Sequence, residues 1–222
     1  MQAGAQLDCP PGELDDGAGC VAPGVPADGC GQGFEPDGEG GCLAILPDAP
    51  CASGSMALPG EQSCRPIAPC GAGTWGDIPV DGATIFVDQS YGGGGENGSQ
   101  AQPYTTVAQG LAAVAPGGRI AVASGTYAED LLITKPVAIW GTCPAEVTLG
   151  GPGLPAAIEV QSAGSGSELH SLAVTGAGAG ILVFNAEVVV DAVWVHDTSS
   201  NGVAVSGGTP SASATVRSSQ IE

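Results

Sequence analysis

The sequence predicts an all-β chain: a solenoid of short stacked strands with one short capping helix, preceded by a small, loop-dominated, disulfide-rich region. Three observations predict it. Apolar segments recur about every 22 residues beyond Gly150, cysteines recur about every 21 residues before it, and Gly (38) and Pro (18) abound while aromatic residues are scarce. Many turns between short strands follow from that composition.

Taken in order, residues 1–80 form a cysteine-rich repeat region. Cys9, Cys30, Cys51 and Cys70 each open a Cys-x-x-Gly unit, spaced 21, 21 and 19 residues apart, and Cys20, Cys42 and Cys64 follow inside the first three. A unit this short cannot bury enough apolar surface to fold unaided, so covalent closure is expected to hold it. The favoured pairing is Cys9 to Cys20, Cys30 to Cys42, Cys51 to Cys64 and Cys70 to Cys143. Pairing between neighbouring units (Cys20 to Cys30, Cys42 to Cys51, Cys64 to Cys70) stays open, because eight cysteines allow 105 connectivities. No Cys-x2-Cys pair and no nearby His suggests zinc. The acidic turns Asp15-Asp16-Gly17 and Asp37-Gly38-Glu39-Gly40 invite calcium, but their spacing is not that of an EF-hand and a solvated turn is the favoured reading; no cofactor is expected.

Residues 81–222 form the solenoid. Ala157-Ile-Glu-Val, Gly180-Ile-Leu-Val and Gly202-Val-Ala-Val are equivalent strands 23 and 22 residues apart. Segments opening at Leu169, Val190 and Val216 form a second set, offset by 21 and 26. One such rung cannot bury its apolar face alone, so rungs must stack at the ~4.8 Å strand spacing. Alternation turns Leu172/Val174, Val193/Val195 and Ser219/Ile221 inward, and Trp194 and His196 outward with Gln220 and Glu222 on the next rung. His170, Asp191 and Arg217 occupy the preceding bend on three successive rungs. The candidate ligand-binding residues are therefore Trp194, Asp191, His196, Arg217 and His170.

The stretch Thr84–Thr142 supplies the start of the solenoid. Ile85 to Val87 is a strand, Asn97-Gly98-Ser99 a loop, Pro103-Tyr104-Thr105-Thr106-Val107 a helix entry, and Gly118-Arg119-Ile120 and Gly125-Thr126-Tyr127-Ala128-Glu129 a strand and turn. These motifs resemble the N-terminal cap and first coil of the pectin-lyase-like superfamily, over about 60 residues. The resemblance implies a right-handed parallel β-helix; it leaves function open, since that superfamily hosts lyases, hydrolases, epimerases, adhesins and inert scaffolds. Val193-Trp194-Val195-His196-Asp197 is similar to the Val-Trp-Ile-Asp-His stretch of pectate lyases with its last two residues inverted, so no lyase residue is carried across. The Asn-Thr-Asp and Gly-Asp-Asp motifs of polygalacturonases are absent, and no catalytic residue is assigned.

Charge and leader signals bound the partners. Twenty-three acids face Arg65, Arg119, Lys135 and Arg217, a formal charge of −19, which argues against nucleic acid and anionic membrane surfaces as partners. No run of 18 apolar residues spans a membrane. The cysteines point to an oxidising compartment, hence a secreted or cell-surface protein. Met1 to Leu7 lacks the basic start and apolar core of a signal peptide, so a removed leader or a different native start is expected. The final strand has no cap after it, which leads us to expect further coils. The reading is a binding or structural module with polysaccharide as the favoured ligand. The alternatives are a calcium-assisted lyase of acidic polysaccharide, its site incomplete or beyond residue 222, and a surface spacer with no small ligand.

Overall fold

A computed structural model describes residues 9–11, 13–15, 19–21, 24–25, 29–152, 155–208 and 211–222. Met1 to Leu7, and Asp16 and Gly17 of the first acidic turn, lie outside the described residues. The chain divides into two compact units, Met1–Cys51 with Ala57–Cys64, and Ala52–Met56 with Arg65–Glu222.

In the first unit, disulfides join Cys9 to Cys20, Cys30 to Cys42 and Cys51 to Cys64, the within-unit pairing. The first two close antiparallel hairpins, Leu14–Asp15 with Cys20–Val21 and Phe34–Pro36 with Cys42–Ala44. The Cys-x-x-Gly signature has a geometric cause. Phe34 N–H donates to Gly31 O at 3.1 Å, and the third residue of that turn, Gly33, sits at φ 85°, where a side chain is strained. Asp37 Oδ1 accepts N–H from Glu39 (2.7 Å) and Gly41 (2.8 Å). Those backbone bonds hold its carboxyl below the usual range, so the acidic turn is self-satisfied.

The second unit opens with a hairpin of the same design, Ser55–Met56 with Arg65–Pro66, and is a parallel β-helix beyond it. Three sheets stack coil on coil. The first contains Ile85–Val87, Gly118–Val122, Val137–Gly141, Ser167–His170, Glu187–Asp191 and Ser213–Arg217; the second, Gly125–Tyr127, Val147–Leu149, Ala173–Gly176, Trp194–Thr198 and Gln220–Ile221; the third, Leu131–Ile133, Ala156–Val160, Ala179–Phe184 and Val203–Ser206. The described strands thus make four coils and part of a fifth.

Inward ladders hold the coils together. Ile120, Ile139, Leu169 and Val190 are aligned and fully buried, as are Leu149, Val174 and Val195 on the second sheet. Each side chain contributes roughly 1.5–3 kcal/mol of apolar burial. Ile158, Ile181 and Val203 align as the 22-residue period requires.

The helix Val107–Ala113 caps the first coil through Val107 and Gly110. Thr106 and Gln109 form a capping box, and the Glu129 carboxylate accepts from Val107 N (2.8 Å) and Ala108 N (2.9 Å). Tyr127 turns inward, donating its hydroxyl to Ala123 O at 2.9 Å, and burial pushes its phenol up to about 12. The Gly-Thr-Tyr-Ala-Glu turn therefore joins core, strand end and helix cap. Cys70 is bonded to Cys143, which is fully buried in the second coil.

Candidate functional site

The strands of the first sheet end in a left-handed corner. Ser171, Ala192 and Ser218 have φ of 52°, 56° and 48°, and each sits between an outward residue and an inward one. Ladder bonds run through the corner, Ser171 N–H to Asp191 O at 3.2 Å and Ala192 N–H to Arg217 O at 3.0 Å. The corner thus stacks from rung to rung and brings two outward columns beside each other.

On the first sheet one column reads Phe86, Ala121, Trp140, His170, Asp191, Arg217. Trp140 and His170 stack at 3.9 Å with 13° between their planes. His170 Nε2 lies 2.9 Å from Glu168 and Nδ1 3.9 Å from Asp191, which Arg217 meets at 3.4 Å. Carboxylate, imidazole, carboxylate and guanidinium thus form a row of alternating groups. His170 is 7% exposed, so it organises its neighbours more than it meets solvent, whereas Arg217 is exposed.

On the second sheet the outward column reads Thr126, Thr148, Ala173, Trp194, Gln220. Trp194 and His196, two residues apart on one strand, stack at 3.5 Å and 18°. His196 Nδ1 is 2.7 Å from the Asp197 carboxylate, and Trp194 Nε1 donates to Glu222 at 3.4 Å. Gln220 also donates to Glu222. One face of the half-buried indole is already covered by imidazole. The five residues singled out from sequence therefore occupy two adjacent sheets separated by one left-handed residue.

Two contributors escaped the sequence reading. Trp140 joins His170 in register, but the step between their strands is 30 residues, well outside the 22-residue period. Glu168 was findable, two residues before His170 and so on the same face.

Chemically, these columns offer two aromatic surfaces, acceptor carboxylates and one guanidinium on an open face. Cavities of about 320 and 380 Å³ lie elsewhere, beside Leu111 and Lys135 and beside Ile45 and Gln62; a smaller one, about 120 Å³, adjoins Trp140 and Asp77. Among the described residues, the one group of three donors close enough for a metal is Cys70, Cys143 and Glu146, and both sulfurs are tied up in the disulfide.

A family model described as a protein of unknown function, DUF1565, matches residues 91–211, more than half of the 222-residue chain. No curated protein and no solved structure matches the chain.

Proposed function

From the premise that the chain belongs to the DUF1565 family, whose description names no activity, we propose its function from the surface it presents: an extracellular or cell-surface binding module for polysaccharide. The observation that carries this reading is the pair of tryptophan–imidazole stacks, Trp140–His170 and Trp194–His196, on either side of one corner, with Asp191 and Arg217 beside them. Aromatic surfaces pack on the apolar faces of sugar rings, and carboxylate, amide and guanidinium groups bond the hydroxyls. An open face repeating at the ~4.8 Å rung spacing suits an extended polymer better than a small solute.

Location at the cell exterior is supported by the four disulfides; among the described residues no helix is long and apolar enough to cross a membrane. We also read the solenoid as pectin-lyase-like, on the Gly-Thr-Tyr-Ala-Glu turn and the capping helix that precede its coils.

Affinity electrophoresis through gels containing neutral, acidic and amino polysaccharides tests the proposal. Retardation by at least one of them, lost in Trp194→Ala and weakened in Arg217→Ala, is the expected result. No retardation in any gel overturns binding and leaves the spacer reading. Release of an unsaturated uronate from polygalacturonate, seen as new ultraviolet absorbance and abolished by chelator, would replace the binding module with a lyase.

A further inference from the structure

Around Trp194 the indole N–H is already paired, while two buried acceptors are not. Among the described residues five buried side-chain polar atoms lack a partner, and two belong to this patch: His196 Nε2 and Gln220 Oε1. Such atoms are rare in folded proteins, because nothing repays their lost hydration. Their chemistry is one-sided. An ionised carboxylate only accepts, so the bond to Asp197 uses an N–H at His196 Nδ1, and in that tautomer of the neutral imidazole Nε2 is an acceptor. The indole N–H and one N–H of the Gln220 amide both go to Glu222. What remains for a ligand is an imidazole nitrogen, an amide oxygen and the exposed carboxylates of Asp197 and Glu222, around an indole.

Resting on the polysaccharide reading above, we propose that this patch recognises an ammonium-bearing sugar, that is, a polysaccharide of amino sugars whose amines are free. An alkylammonium carries three N–H donors and no acceptor, matching a site rich in acceptors. Its charge is drawn to the two carboxylates, to the indole ring and to a chain of formal charge −19. A uronate would instead bring a carboxylate against Asp197 and Glu222, and an N-acetylated sugar would offer one N–H and no charge. Because both orphaned atoms are buried, a ligand reaches them only by displacing what covers them.

The test is calorimetric titration of the whole chain with four oligosaccharides of equal length: glucosamine, N-acetylglucosamine, galacturonate and glucose. Trp194→Ala and Asp197→Asn are titrated alongside. Trp194→Ala keeps the net charge, so it separates the site from general attraction of a polycation to an acidic protein. Asp197 stands at φ 50° and its side chain is 86% exposed, a position that Asn tolerates. Asp197→Asn therefore decides the matter if Trp194→Ala fails to fold by circular dichroism.

The expected result is glucosamine binding at least tenfold tighter than N-acetylglucosamine, weakened about tenfold by Trp194→Ala and several-fold by Asp197→Asn and by added salt. Equal or tighter binding of any of the other three sugars overturns the amine while leaving the polysaccharide reading standing. Glucosamine binding unchanged in both variants assigns it to net charge alone and overturns the site. Binding of none of the four overturns both.

Discussion

Removing the Cys70–Cys143 bridge by replacing both residues with Ala should lower the stability of the solenoid more than any other disulfide removal in the chain. The bridge spans 73 residues of sequence, against 11, 12 and 13 for the others. In the chain-entropy picture a loop of that length raises the unfolded-state free energy by about 4 kcal/mol, whereas the short loops give roughly 3 kcal/mol. For a unit of this size each kcal/mol moves the midpoint by about 2–4 °C, so the expected fall is on the order of 10 °C. Differential scanning calorimetry of the native chain and of the two double variants Cys70→Ala/Cys143→Ala and Cys30→Ala/Cys42→Ala measures it. The second variant should leave the solenoid transition in place, since Cys30 and Cys42 belong to the other compact unit. A fall below about 3 °C in the first variant, or an equal fall in both, would refute the view that this bridge acts on the solenoid through the entropy of its unfolded chain.

Three further outcomes are expected. Glu129→Ala removes the carboxylate bonded to two N–H groups of the capping helix and should cost about 1 kcal/mol in a urea melt, in the range of a lost helix cap. Spectrophotometric titration should show one of the three tyrosines ionising near 12. Because burial raises that folded pKa above its unfolded value of about 10, the folded state holds the proton more tightly. Stability should be flat with pH below about 10 and fall as pH rises from there toward 12, a slope that Tyr127→Phe abolishes. Ile139→Ala, at a fully buried rung, should cost about 2–5 kcal/mol, whereas Ile221→Ala, 40% exposed on the last rung, should cost under about 1 kcal/mol by chemical denaturation.

The coil register was readable because a stacked ladder demands like residues at like positions. Ile158, Ile181 and Val203, and Leu169, Val190 and Val216, announce their alignment through apolar identity and a short period. Facing followed from alternation, which placed Trp194 over Gln220 and His170 beside Asp191. What stayed hidden depends on backbone conformation or on distant sequence. Ser171, Ala192 and Ser218 adopt a left-handed φ that their side chains do not favour, so nothing in their identity marks a corner. The Glu129 cap reaches a helix 21 and 22 residues earlier. Trp140 lies one coil before His170, across a long step that contains the 3₁₀ turn Ser162–Gly164. The sharing of the candidate residues between two sheets came from that corner, which alternation along a single strand does not contain.

The central claim, polysaccharide held at the corner between the first and second sheets, is tested most directly by the three indole N–H signals in a 15N-correlated NMR titration with oligosaccharide. The account predicts saturable shifts at Trp194 and Trp140, the two rings stacked on imidazole, and a still signal from Trp75, which packs edge-on against Phe86. Shifts centred on Trp75, or none at any concentration of any sugar, would contradict it.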